Sequence, residues 1–387
     1  MPFHKLMSAA LRPNEPLRPH EARYLDYLTF WARYVVRRRK PLIIGITGSV
    51  GKTTTRETIA AVLTAPGAEP VVGTVRATPR NMNNNWGVPL TVLGYRAWRP
   101  RWGSEAVRAL TLPLRAVRMA RSEGYPRVLV LEFAAGPTSD TERTVAVAPP
   151  DIGVVTAVGP AHLDRYGTVE RVAEVKGAVV RAVPPSGLVV LGADNEVASG
   201  MERYARAPVV RVPGKGRALS EGIARVVAER LGLPSDLVDR ALAGRVTVKG
   251  RQEVIELGAS AVMNDAFNAN PLSMAHGLET LAAQARPGQR RVAVLGEMAE
   301  LGADVERYHR EMAATARSHA DVVVGVGPRT RLYEPDHWFE TSEDCAGAVS
   351  SLVREGDYVL VKGSHSARLG LVVDALKDAL GPAEPVS

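Results

Sequence analysis

The chain has 387 residues, 45% hydrophobic and 23% charged, with 49 Lys and Arg against 41 Asp and Glu for a formal charge of +8, and a single cysteine. That length implies two or three domains with real cores, and the composition excludes disordered and fibrous classes. The lone Cys345 excludes a disulfide framework and a cysteine-based zinc module, so a reducing cytoplasmic setting is expected. The positive balance fits nucleic acid, anionic lipid or polyphosphate equally and selects none of them.

Residues 1–20 are polar and Pro-rich, without the apolar core and cleavage site of a signal peptide, and no run approaches the roughly 18 apolar residues of a membrane span. In residues 21–40, Leu25, Leu28, Trp31, Ala32, Val35 and Val36 recur at helical spacing before a cationic last turn, which predicts an amphipathic basic helix. Residues 41–63 read as a buried strand, a glycine loop and a helix starting near Thr54. Apolar runs around 127–133, 151–158 and 187–194, separated by helical stretches such as 169–183, predict a mostly parallel sheet with helices on its faces. Strands alternate with helices again at 254–267, 290–298, 321–327 and 357–364. The expected division is a leader over 1–40, a central domain over 41–247 and a C-terminal domain over 248–387, with no internal repeat.

The segment Thr47-Gly48-Ser49-Val50-Gly51-Lys52-Thr53-Thr54 sits between the first strand and its helix. Glycines let backbone N–H groups face phosphates, the helix N-terminus adds positive potential, Lys52 can reach β/γ oxygens, and Thr53 can ligate Mg²⁺. A strict phosphate-loop pattern has Gly where this chain has Ile46.

The variant TGSVGKTT resembles the phosphate loop of the Mur ligases, ATP-dependent amide ligases of peptidoglycan precursor synthesis. Nine further segments resemble that family in the same order: Asn81–Pro89, the block around Glu132, GPAHLDRYG with His162, VKGAVV with Lys176, LGADN at 191–195, VKGRQE with Arg251, NDAFNANPLSM at 264–274, LGEMAELG at 295–302 and VLVKGS at 359–364. The nearest likeness is to the branch that adds D-alanyl-D-alanine, and it covers about residues 41–375.

The resemblance implies an α/β protein with a central P-loop parallel-sheet ATPase domain followed by a Rossmann-like C-terminal domain. It implies a cytoplasmic ligase that uses ATP and Mg²⁺ to phosphorylate a carboxylate and lets an amine displace phosphate. Such chemistry asks for positioning and charge neutralisation more than for a protein nucleophile. By the resemblance Lys52 contacts phosphates, Thr53 and Glu132 hold one Mg²⁺, and His162 helps hold a second with Lys176, which carries a carbamate in relatives. Asn84 would line the reacting groups, Arg251 and Asp265 would reach the ATP phosphates and ribose, and Asn268, Asn270, Lys362 and Ser364 would shape the amine pocket. Without the resemblance, Lys176 reads as a solvated helix residue, and Asn268 and Asn270 before Pro271 as turn and cap residues.

Two alternatives stay open: the same chemistry on a carboxylate outside peptidoglycan synthesis, and a nucleotide-binding subunit without turnover. About forty residues precede the phosphate loop, too few for a UDP-sugar-binding domain. Ser220 falls near the expected adenine-contacting Asn, Asn264 replaces an acidic residue, and Ala134 a glycine. Residues 95–121 interleave Arg96, Arg99, Arg101, Arg108, Arg115, Arg118 and Arg121 with Trp98, Trp102 and leucines. This segment and the helix at 21–40 either rest on an anionic membrane surface or pack on the central domain with arginines to solvent. No nucleic acid is expected.

Overall fold

The computed structural model describes residues 18–79, 81–96, 104–136, 140–244 and 247–381, so Arg99, Arg101, Trp98 and Trp102 lie outside the described residues. Two compact units divide the chain: one runs to Val158 and resumes over Thr168–Val246, and the other joins Gly159–Gly167 to the chain from Thr247 onward.

The first unit begins with α1 (Pro19–Arg39), β1 (Leu42–Thr47), α2 (Lys52–Leu63), α3 (Glu69–Val72), β2 (Val75–Ala77), α4 (Gly87–Val92) and α5 (Ser104–Arg121). It continues through β3 (Val128–Glu132), α6 (Thr141–Val147) and β4 (Ile152–Val155). The excursion holding α7 (Leu163–Tyr166) belongs to the second unit. The first unit then completes with α8 (Val169–Arg181), β5 (Leu188–Gly192), α9 (Glu196–Ser199), β6 (Val209–Val212), α10 (Gly216–Arg230) and α11 (Ser235–Ala243).

Its sheet has the order β2-β3-β1-β4-β5-β6, with every pairing parallel. Parallel strands covered on both faces must be apolar on both, and they are: Ile43, Leu129 and Leu131 enter one core, while Ile44, Ile46, Val128 and Val130 enter the other. Because β3 and β4 flank β1 on opposite sides, the connections diverge at the carboxyl end of β1, where open α/β sheets bind ligands.

α1 is part of the first core, as the stripe predicted. Leu25, Leu28, Ala32 and Val35 are fully buried, and Trp31 is half-buried. Burial of each large aliphatic side chain contributes about 1.5–3 kcal/mol, which docks the helix firmly. The neighbouring α5 contains Pro113, which lacks the N–H that would have bonded to the Ala109 carbonyl four residues earlier. The Tyr27 hydroxyl of α1 donates to that carbonyl at 2.9 Å, so the partner lost inside α5 is supplied by α1.

The second unit runs β7 (Glu253–Leu257), β8 (Ser260–Asp265), α12 (Pro271–Gln284), β9 (Arg291–Gly296), α13 (Val305–His319), β10 (Val322–Val326), β11 (His337–Phe339), α14 (Ser342–Leu352), β12 (Tyr358–Lys362) and α15 (Gly370–Leu380). Its sheet has the order β11-β10-β9-β12-β8-β7, parallel except for the β7–β8 hairpin. Cys345 lies in its core, where burial pushes the thiol up to about 12, so it is an inert packing residue.

Candidate active site

The loop leaving β1 is fixed from behind by the residues that follow β4. Ser49 N–H donates to the Ala157 carbonyl at 2.6 Å, and the Thr156 hydroxyl donates to the Val50 carbonyl at 2.5 Å. Gly48 has φ of +149°, and a Cβ there would lie 2.1 Å from Thr156 Oγ1, so only glycine fits. Gly51, at φ 86°, is the N-cap of α2, which starts at Lys52, two residues earlier than expected. The helix has no side-chain cap and no acidic residue in its first turn. A helix N-terminus left in this way presents unpaired N–H groups and positive potential to an anion.

Glu132, at the carboxyl end of β3, is 2% exposed. The Thr53 hydroxyl lies 3.0 and 3.2 Å from its two oxygens, and Asn83 Nδ2 donates to Oε1 at 2.8 Å. Arg56, one helical turn beyond Thr53, is 1% exposed and stands 3.6 Å from Glu132 Oε2 while also pairing with Glu57. Asn83 and Arg56 were not anticipated. Asn84 instead turns inward, its Oδ1 accepting from the N–H groups of Trp86 and Gly87 at 3.1 and 2.9 Å to shape the start of α4.

Lys176 overturns its reading as a solvated helix residue: it is 0% exposed. Its Nζ donates to the Gly48 carbonyl at 3.0 Å, and Lys52 Nζ donates to the same carbonyl at 2.8 Å. Burial first, and then the Lys52 charge, hold the Lys176 amine well below the usual lysine range, with Glu132 opposing the shift. Two lysines thus converge on one phosphate-loop carbonyl, and the Glu132 carboxylate meets the Thr53 hydroxyl that follows the loop. Ser220 is buried too, its Oγ 3.0 Å from Thr55 Oγ1, and it ties α10 to α2.

In the second unit Lys362 is 1% exposed and donates to Asp265 Oδ2 at 2.7 Å and to the Asn268 carbonyl at 3.1 Å. Asn270 caps α12 by accepting from Ser273 N–H at 2.9 Å, which matches the cap reading. Ser364 Oγ lies 2.9 Å from Ser366 Oγ, and the Arg251 guanidinium sits over the Phe267 ring at 4.2 Å. His162, at φ 56°, has Nδ1 at 2.5 Å from Glu300 Oε2, and the Leu163 N–H donates to the Glu300 carbonyl at 2.8 Å. The loop bearing Glu300 is anchored by a residue the sequence did not reveal. His309 is fully buried, with its Nε2 accepting from Met298 N–H at 3.1 Å and its Nδ1 2.7 Å from the Val305 carbonyl, and burial lowers its pKa.

A phosphate loop at the head of one parallel-sheet unit, followed by a second unit with a buried Lys–Asp pair at its strand ends, defines a nucleotide-dependent group-transfer enzyme. Residues 46–99 and 104–248 match the family described as the Mur ligase middle domain, and residues 250–365 match the Mur ligase, glutamate ligase domain. The chain belongs to the Mur ligase family and is an ATP-dependent ligase that forms carbon–nitrogen bonds. It is 33% identical to the UDP-N-acetylmuramoyl-tripeptide–D-alanyl-D-alanine ligase of Mycobacterium bovis, over 89% of this chain and 74% of that protein. To the enzyme of the same name from Escherichia coli it is 26% identical, over 91% and 79%. The crystal structure of the MurF ligase from Thermotoga maritima in complex with ADP shares the fold, with a TM-score of 0.74 and 24% identity over 92% of this chain and 84% of that one.

Proposed function

We propose that this protein joins D-alanyl-D-alanine, or a closely similar amine, to the tripeptide carboxylate of a UDP-N-acetylmuramoyl-peptide in the cytoplasm, using ATP and Mg²⁺. The observation that carries the reading is the convergence of Lys52, Thr53, Glu132 and Lys176 on one phosphate-loop carbonyl and one strand end, joined to the named relatives.

In the first step a substrate carboxylate oxygen attacks the γ-phosphorus of ATP, and the β–γ bridging bond breaks to give an acyl phosphate and ADP. The amine nitrogen then attacks the acyl carbon, the C–O bond to phosphate breaks, and amide, phosphate and a proton are released. The backbone amides of Gly51, Lys52 and Thr53 at the start of α2 would hold the β- and γ-phosphates. Lys52, which rests on loop carbonyls, would turn to the γ-phosphate.

Thr53 hydroxyl and Glu132 carboxylate form a hard-oxygen pair suited to Mg²⁺, which binds through few protein oxygens together with substrate phosphates. Bound there, the ion would neutralise charge on the transferred phosphoryl group.

The depressed basicity of Lys176 supports its carbamylation: a neutral amine adds to CO₂, forming the N–C bond and releasing a proton, and the product is a carboxylate-like oxygen donor. His162 would offer a ring nitrogen to a second Mg²⁺. Asp265 and Arg251 would reach ATP, and Asn84, Asn268, Asn270, Lys362 and Ser364 would bound the acid and amine pockets, Asn84 and Asn270 through the loops they cap.

Phosphate release from Mg-ATP, with the UDP-muramoyl-tripeptide offered with and without D-alanyl-D-alanine, tests the reading. Release that needs both, with a product heavier by the dipeptide less water, is expected. Release that neither substrate stimulates would move the chemistry to another carboxylate.

A further inference from the structure

Seven large hydrophobic side chains are strongly exposed among the described residues, and five of them lie on the two neighbouring helices α1 and α5: Phe30, Tyr34, Val107, Leu110 and Leu114. Leu110 is 81% and Leu114 66% exposed, values that a helix docked by its apolar face does not produce. α5 does have a buried face, built from Leu112, Ala116 and Ala120, so its leucines at 110 and 114 form a second apolar stripe on the opposite side. On α1, Tyr27, Phe30 and Tyr34 follow one another at spacings of three and four, and Tyr27 is the residue bonded to α5. The stripe ending in Phe30 and Tyr34 therefore borders α5. Trp31 meets Tyr27, Phe30 and Tyr34 edge-on, which holds this aromatic ridge together.

Positive charge dominates around these stripes; the exposed Asp26 of α1, one turn before Phe30, is paired with Arg143. From 107 to 121 α5 carries Arg108, Arg115, Arg118 and Arg121 and no carboxylate, and α1 ends in exposed Arg37 and Arg38. Next to α5 lies a cavity of about 540 Å³ lined in part by Arg76, Tyr95 and Arg96. Arg108 and Arg115 of α5 sit over the same Tyr95 ring, at 4.9 and 4.4 Å. Among the described residues no carboxylate pairs with Arg76 or Arg115, whose partners are carbonyls at the end of α4 and aromatic rings. An apolar stripe rimmed mainly by arginines complements an anionic surface with an apolar interior. Two copies of the same face would oppose arginine to arginine, which disfavours self-association.

We propose that the outer face of α1 and α5 seats the protein on an anionic lipid bilayer, with Leu110, Leu114, Val107 and Phe30 entering the headgroup–acyl boundary and the arginines of both helices and of the adjacent cavity contacting lipid phosphates. This binding is independent of the ligase reading. It places the enzyme at the membrane surface without a spanning helix, and among the described residues no helix is long and apolar enough to span.

The test is co-sedimentation of the full chain with vesicles of phosphatidylcholine alone and of equal parts phosphatidylcholine and phosphatidylglycerol. Binding to the anionic vesicles only, weakened severalfold when salt is raised well above physiological strength, is expected. Leu110→Ser with Leu114→Ser should lower partitioning about tenfold, as expected when two leucines no longer enter the interface. Arg118→Gln with Arg121→Gln should lower it comparably and flatten the salt dependence. Both variants should keep the wild-type unfolding temperature and nucleotide turnover, because these side chains are exposed and outside the site. No binding to anionic vesicles, equal binding to neutral ones, or binding unaffected by both variants would overturn the proposal. A chain that instead self-associates, and is made monomeric by the leucine substitutions, would assign the face to a second copy.

Discussion

Glu132 carries two duties that a single substitution can separate. It is the counter-ion of buried Arg56 and the proposed Mg²⁺ ligand beside Thr53. In Glu132→Gln the side chain keeps its shape but offers one acceptor oxygen where two now serve Thr53 and Asn83, and it turns an amide donor toward other donors. Removing one member of a buried ion pair costs about 3–5 kcal/mol. Arg56 still has Glu57, and the 3.6 Å separation makes the Glu132 contact the looser one, so about 2–3 kcal/mol is expected here. For a unit of this size that lowers the melting temperature by about 4–12 °C. Mg-ATP at about a hundredfold excess over its Kd should stabilise the wild type by about 2.7 kcal/mol. The variant should lose the Mg²⁺-dependent part of that increment and fall about 10²–10³-fold in turnover. Thermal unfolding with ATP, with and without Mg²⁺, reads both effects. A variant as stable as wild type, with the same Mg²⁺ increment, would refute both duties.

Lys176 makes a prediction with a definite sign. Its folded-state pKa is depressed from an unfolded value near 10.4, so its unfavourable contribution is absent above that pH and grows as pH falls toward the folded value. In CO₂-free buffer the stability of wild type relative to Lys176→Met should therefore rise from neutral pH toward about pH 10; the opposite slope would contradict burial as the cause. Gly48→Ala places a methyl against Thr156 Oγ1 and should abolish nucleotide binding in calorimetry, with partial recovery in the double variant Gly48→Ala, Thr156→Ala. Tyr27→Phe leaves the Ala109 carbonyl beneath Pro113 without its donor and should cost about 1 kcal/mol, or ~2–4 °C in melting temperature; no change would mean that water replaces the hydroxyl.

Where a residue's role follows from local geometry it was readable from sequence. The glycines at 48 and 51, the apolar strand before them and Glu132 at a strand end all announce a ligand edge. Lys176 entered the expected site only through the family resemblance, although the residues alone carried a signal: it falls on the buried helical stripe of Val172, Ala173, Val179 and Val180, where a lysine is out of register with solvent. The choice between Asn83 and Asn84 could not be read, because it depends on how the loop turns after β2. The short strands β2, β6 and β11 escaped for a related reason: three or four residues at the outer part of a sheet carry too little alternation to register. His309 looked like any helix histidine until its ring nitrogens were seen to be spent on Met298 and Val305. For α5 the amphipathic pattern was plain, but not that its leucines divide between a buried face and an exposed one.

The central claim is that the substrate carboxylate is activated as an acyl phosphate in the site built on the phosphate loop. The most direct measurement supplies the acid substrate with its carboxylate oxygens replaced by the heavy isotope, adds Mg-ATP and the amine, and weighs the inorganic phosphate that is released. The account predicts one heavy oxygen in each phosphate and one remaining in the amide. Phosphate without heavy oxygen, formed alongside amide product, would contradict it.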